Sequence, residues 1–235
     1  MATFGLLQCD DIAEPLQPAH GNYPAMFSNL FSQLDAGISL RTYDVRAGEY
    51  PQDLSECCGY LTTGSQHGMG DSLPWVDDLL EFIRKLHRTR IPFFGICFGH
   101  QALACALGGA VEASTKGWGV GVSFNNVIRQ KTWMQPASEQ LDIIVSHQDQ
   151  VTRLPKDAEI LAESKFCPYF MVQVGRNMAS VQGHPEFTPA YSRALMDRRR
   201  DRIPTNRIRE AETSLQTNIN NLLLARWIAN FLTKI

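Results

Sequence analysis

Residues 91–104, IPFFGICFGHQALA, restrict the possible folds more than any other stretch of the chain. The first half is a continuous apolar run. With no polar side chain to turn toward water, it must be covered on both faces if it forms a strand. A sheet covered on both faces is typically a parallel α/β sheet, because parallel neighbours need crossover connections that lie over it. The second half reads G-x-C-x-G and runs into small, helix-compatible residues. A strand that gives way to a helix this abruptly turns sharply, and the residues two before and two after the apex must be small. Gly95 and Gly99 meet that demand around Cys97.

The rest of the chain agrees with that architecture. TFGLLQC (3–9), SLRTYDV (39–45) and CGYLTTG (58–64) read as strands. Between the first two, YPAMFSNLFSQL sets Phe27, Leu30, Phe31 and Leu34 at helical spacing. After the glycine-bounded loop GSQHGMGDSLP, Pro74 suits a first helical turn, and Val76, Leu79, Leu80 and Ile83 form the next apolar stripe. From about residue 118 the pattern changes to strand-like pieces with short connections: GVGVSFNNVI, LDIIVSH, EILAES, YFMVQVG and MASVQGHP. They predict a meander added to the α/β half, its last piece running back toward Cys97. A closing helix carries Leu224, Trp227, Ile228, Phe231 and Ile235 on one side. No repeat or linker divides the chain, so residues 1–235 are expected to form one domain. The expected fold class is α/β, a mainly parallel central sheet flanked by helices with added β strands.

Composition narrows the function. The 22 basic and 24 acidic residues leave a net charge of −2, which argues against a nucleic-acid surface. No apolar run is long enough to span a bilayer, and MATFGLLQCDD lacks a leader pattern, so a cytoplasmic protein without membrane association is expected. The six cysteines contain no C-x-x-C pair and are read as reduced thiols, most of them small buried hydrophobes. SRALMDRRRDRIPTNRIRE holds seven arginines; with Asp197, Asp201 and Glu210 interspersed, it is read as a solvated helix face rather than a docking surface.

Cys97 is the exception among the thiols. The helix after it presents unpaired N–H groups and its positive end to the sulfur, and both favour thiolate, the reactive form. The Phe98 N–H would point at a developing oxyanion, and Gln101, one turn along, can face the same pocket. A buried structural thiol would explain the cysteine but not its two glycines, its strand and its helix together. A cysteine nucleophile needs a histidine, and the histidine an orienting group. Of six histidines, His20 and His67 lie in loops, His87 ends a helix, and His100 is turned from the sulfur by the helix direction. His184 ends a strand, Pro185 biases it to extended backbone, and Glu186 then falls on the same side. The chain order Cys–His–Glu fits neither serine α/β-hydrolases nor papain-like enzymes.

GICFGHQ followed by GHPEF resembles the class I glutamine amidotransferase family, with a match running from about residue 40 to residue 187. The resemblance implies a flavodoxin-like α/β sheet and a Cys97–His184–Glu186 triad. From TTGS (62–65) it implies the Gly64 N–H as a second oxyanion donor beside Phe98. It also implies that Gln101 contacts the substrate's α-amino-acid end, and that Ser146 and His147 of SHQDQV border the glutamine pocket through their backbone. GNYPAMF, GEYP, SHQDQV and VQGHPEF are similar to the stand-alone group that includes the plant γ-glutamyl peptidases. The implied substrate is glutamine or a γ-glutamyl small molecule, hydrolysed through a thioester with no metal or cofactor. Two alternatives stay open: a glutaminase subunit feeding ammonia to a synthase partner, and a non-catalytic small-molecule binding module.

Overall fold

The computed structural model describes residues 2–34 and 36–233. Its first half runs β1 (Ala2–Gln8), α1 (Gln17–His20), α2 (Tyr23–Ser32), β2 (Ile38–Asp44), β3 (Gly59–Thr62), α3 (Pro74–Thr89), β4 (Phe93–Ile96) and α4 (Phe98–Ala106). The second half opens with strands β5 (Ala110–Ala113), β6 (Gly119–Ser123), β7 (Asn126–Val127), β8 (Ile143–His147) and β9 (Asp149–Arg153). It continues with β10 (Ala158–Glu163), β11 (Met171–Val174) and β12 (Met178–Val181), then α5 (Pro189–Arg198), α6 (Thr205–Ser214) and α7 (Asn221–Thr233).

Eight strands form one sheet in the order β2-β1-β3-β4-β12-β11-β10-β7. From β2 to β12 all neighbours are parallel, and from β12 outward they are antiparallel. The expected mainly parallel sheet is therefore present, and the meander β10–β11–β12 brings its last strand alongside β4. Strand alternation sorts the core into two layers. Phe4, Leu6, Leu61, Phe94 and Ile96 face one layer, which α2 and α7 close with Phe27, Phe31, Trp227 and Phe231. Leu7, Tyr60 and Phe93 face the other, closed by α3 and α4 with Leu79, Ile83 and Leu103. Being covered twice, β3, β4, β11 and β12 are buried at every position; β4 is wholly apolar, and the others each bury one polar side chain, Thr62, Gln173 and Ser180.

Pro74 does open α3, and the stripe is buried except at Leu80, which is half-exposed; Phe82 and Leu86 complete the face. Ile235, placed by the sequence on the last helix, lies outside the described residues. Two ribbons stand apart from the main sheet, β5–β9 and β6–β8. Strands β5 and β9 were not legible in the sequence, because their burial is shallow and their pairing joins distant segments. The arginine-rich stretch contributes to α5 and α6. Among the described residues, no helix is long and apolar enough to cross a membrane.

Candidate active site

Cys97 stands at the apex between β4 and α4 with φ 49° and ψ −95°, a left-handed backbone that costs a β-carbon-bearing residue about 1–3 kcal/mol. The glycines make that apex possible by close approach. A β-carbon on Gly95 would fall on the Gly99 carbonyl, and one on Gly99 would fall on the Thr62 hydroxyl. The Cys97 N–H donates to the Val181 carbonyl at 2.9 Å, tying the apex to β12. The side chain is nearly buried.

His184 follows the end of β12, the strand that pairs in parallel with β4 so that Val181 sits opposite Ile96. Its N–H donates to the Ile144 carbonyl at 2.8 Å. The imidazole lies flat on Phe187, centroids 3.9 Å apart and planes 5° apart, and Nδ1 is 2.8 Å from Glu186 Oε1. Glu186 is buried, and its Oε2 has no partner among the described residues. Burial works against the imidazolium, but the Cys97 sulfur and the Glu186 carboxylate outweigh it and hold His184 well above its ordinary range. Gly64 lies against the ring at Cε1: a β-carbon there would sit 2.6 Å from that atom and 3.4 Å from Nδ1.

Cys97 and Phe98 open onto a cavity of about 390 Å³ that Gln101, Trp118, Ser146 and His147 also line. Each of the remaining expected contacts has a definite place. Gln101 Nε2 donates to the Asp149 carbonyl at 3.0 Å and to Gln182 Oε1 at 3.3 Å, so both contacts engage the amide nitrogen and not Oε1. His147 Nδ1 is 3.0 Å from the same Asp149 carbonyl and so carries the ring proton. Burial pushes His147 down to about 4, so the ring is neutral. The loop carrying Gly64 is clamped from β1: the Thr63 hydroxyl accepts from the Cys9 N–H and donates to the Gly64 carbonyl, each at 2.9 Å. The Gln66 N–H donates to Asp10 at 2.7 Å. Among the described residues, neither the Gly64 nor the Phe98 N–H donates to a protein acceptor.

Several residues that the sequence reading passed over belong here. Arg199 leaves the charged face expected of its neighbours: Nη1 donates to Ser146 Oγ at 2.9 Å, and the guanidinium lies 5.8 Å from the Trp118 ring centre. It lines both the main cavity and a smaller one of about 80 Å³ beside His184, Tyr23 and Tyr191. Arg200, Arg202 and Arg207 reach Asp197, Asp201 and Glu210 at the surface, as a solvated face would. Arg202 also borders the main cavity. Gln182 and Phe187 flank His184 in sequence, and only strand pairing reveals what they touch.

The other histidines and thiols are placed elsewhere. His100 is buried with Nδ1 2.9 Å from Ser180 Oγ, away from the sulfur as its helix position implied. His67 meets Asp71 at 3.3 Å on the cavity rim. Cys9 and Cys167 are buried, and burial pushes both thiols up. A cavity of about 470 Å³ between β6 and α6 shares only Trp118 with the lining of the main cavity, and Cys97, His184 and Glu186 do not line it. Among the described residues, no group of three or more His, Cys, Asp and Glu side chains could hold a metal ion.

The profile of the family described as glutamine amidotransferase class-I matches residues 64–198, a span from Gly64 through the elbow to the end of α5. γ-Glutamyl peptidase 3 of Arabidopsis thaliana is 30% identical over 203 residues, covering 82% of this chain and 79% of its own length. γ-Glutamyl peptidase 4 of the same plant is 31% identical over 193 residues, covering 79% and 76%. A crystal structure of a glutamine amidotransferase from Thermotoga maritima superposes with a TM-score of 0.77 at 19% identity, covering both chains completely. On the strength of the profile match and these relatives, the chain belongs to the class I glutamine amidotransferase family.

Proposed function

We propose that the chain hydrolyses the side-chain amide of a γ-glutamyl compound through a thioester on Cys97. The observation that carries this reading is the buried His184–Glu186 pair, 2.8 Å apart, set beside a cysteine with a positive φ. The Cys97 thiolate attacks the γ-carbonyl carbon, and the N–H groups of Gly64 and Phe98 receive the oxyanion. Collapse of that intermediate expels the amine, which takes its proton from His184 while Glu186 keeps the ring oriented. Water then attacks the thioester carbonyl, giving up a proton to His184, and glutamate leaves as the sulfur recovers its electron pair.

Arg199 favours one kind of leaving group. The amine departs on the His184 side, and Arg199 is the basic side chain that borders the cavities on both sides of that path. A guanidinium there suits an amine that carries a carboxylate, as an amino acid or peptide does, over ammonia. Glutamine, γ-glutamyl peptides and γ-glutamyl amines without a carboxylate, offered to the wild type, Cys97→Ala and Arg199→Ala, test both halves. Cys97→Ala should abolish turnover and the thioester seen by mass spectrometry. Arg199→Ala should lower kcat/KM roughly 10- to 100-fold for the peptides alone, the worth of a hydrogen bond to a charged group. Equal loss on all three substrates would overturn the role of Arg199. Hydrolysis of glutamine alone, rising with a synthase added, would replace this reading with that of a glutaminase subunit.

A further inference from the structure

Gln182 is completely buried at the end of β12, two residues before His184, and both ends of its carboxamide are committed. Nε2 donates to the Cys97 sulfur at 3.5 Å, and Oε1 accepts from Gln101 Nε2 at 3.3 Å. An isolated glutamine could present either end to the sulfur, but this one cannot. Gln101 Nε2 also donates to the Asp149 main-chain carbonyl at 3.0 Å, a group that can only accept. That contact fixes Gln101 as the donor, which fixes Gln182 Oε1 as the acceptor and leaves the Gln182 N–H for the sulfur. The orientation is thus set by a main-chain carbonyl two hydrogen bonds away.

A neutral thiol is a weak acceptor and a thiolate a strong one, so a buried N–H held against sulfur favours the charged form. We propose that Gln182 is a further catalytic residue whose carboxamide N–H stabilises the Cys97 thiolate, independently of His184. The contact acts twice in a turnover. It lowers the cost of the free thiolate before attack, and it receives the negative sulfur again when the thioester is hydrolysed and the C–S bond breaks. In the thioester itself the sulfur is uncharged and the contact is weak. The proposal rests on Cys97 being the nucleophile.

Gln182→Glu keeps an acceptor for Gln101 and removes the donor to sulfur; Gln182→Met removes both. Alkylation of Cys97 by iodoacetamide, followed against pH by site-resolved mass spectrometry on the intact chain, reads the thiolate without any substrate. The midpoint of that profile should move up by about one unit in Gln182→Met, a tenfold smaller thiolate fraction on the rising limb, and further in Gln182→Glu, where a carboxylate faces the sulfur. In the peptide assay kcat should fall roughly tenfold while KM changes little. Folding of the variants does not limit the test. In the wild type, the Gln182 side-chain amide resonances should shift as Cys97 titrates and should not shift in Cys97→Ala. Unmoved amide resonances, or an unchanged alkylation profile in a folded variant, would overturn the role of Gln182. Turnover retained by Cys97→Ala would instead overturn the nucleophile on which it rests.

Discussion

Gly64→Ala tests the packing of the proposed base with a single methyl group. Gly64 does not adopt a left-handed φ, so its backbone accepts alanine and only space is in question. The new carbon would lie 2.6 Å from His184 Cε1 and 3.2 Å from the Tyr23 hydroxyl. Non-bonded carbons rest about 3.5–4.0 Å apart, so the ring or the loop must yield by about 1 Å. The ring has nowhere to go. One face already lies on Phe187 at 3.9 Å, and sliding away from Gly64 strains the 2.8 Å contact with Glu186. The loop is held by Thr63 and by Asp10. A displacement of that size at a reacting group costs about 100-fold in kcat, with KM little changed. Overpacking of this kind costs about 1–3 kcal/mol, or roughly 2–12 °C in melting temperature for a chain of this size. Steady-state hydrolysis of a γ-glutamyl dipeptide, with a thermal melt on the same preparation, measures both. A lowered melting temperature with kcat within about threefold of wild type would show that the loop absorbs the clash. Gly64 would then not be what positions His184.

Acid should destabilise the protein through its buried neutral histidines. Burial brings His100 down to about 3 and His147 down to about 4, whereas both titrate near 6.5 once unfolded. Below about 6.5 the unfolded chain therefore binds protons that the folded chain refuses. The stability they contribute is complete above about 6.5 and is lost as pH falls toward 4, at up to about 1.4 kcal/mol per pH unit for each histidine. Urea titrations at pH 7, 6 and 5 should show the loss, and His100→Gln should flatten it; a slope unaltered by that substitution would refute the assignment. The thiols should sort by burial: iodoacetamide labels exposed Cys58 in the folded chain, while Cys9 and Cys167 react only in denaturant. Labelling of Cys9 at the rate of Cys58 under native conditions would contradict the packing at the end of β1.

The elbow was legible in the sequence because its requirement is steric. Gly95 must be small because Gly99 passes against it within the same five-residue turn, whereas Gly99 must be small because Thr62 of β3 lies against it. Spacing exposes both glycines, but only the first has a local cause. Strand β4 was legible for a related reason, since double coverage leaves all four of its positions apolar. His184 and Glu186 were legible as a pair in G-H-P-E, but not for the reason the sequence offered. Pro185 and Glu186 form a turn, closed by the Phe187 N–H donating to the His184 carbonyl at 3.3 Å, and that turn, not an extended run, brings the carboxylate to the ring. What stayed hidden depends on partners distant in the chain. Arg199 is one of seven arginines in its stretch, and nothing in composition says which one turns inward to Ser146. Gln182 sits in a motif read for its histidine, and its contact with Cys97 exists only because β12 pairs with β4. Strands β5 and β9 have too few buried positions to print a period of two.

The pairing of β4 with β12 has a consequence for how such a site can change over time. Cys97 and His184 are carried just beyond the ends of adjacent parallel strands, whose separation is the fixed ladder spacing of about 4.8 Å. The spacing of Cys97 and the proposed base His184 is thus inherited from the sheet. Much of the rest of the cavity lining comes from loops: Ser65–Gly68 before α3, Gln148 from the turn between β8 and β9, Arg199 and Arg202 from the segment joining α5 to α6. Those segments can lengthen, shorten or exchange charges without touching the ladder. Preference for a new amine can therefore drift through loop changes while the spacing of the nucleophile and its base remains constant.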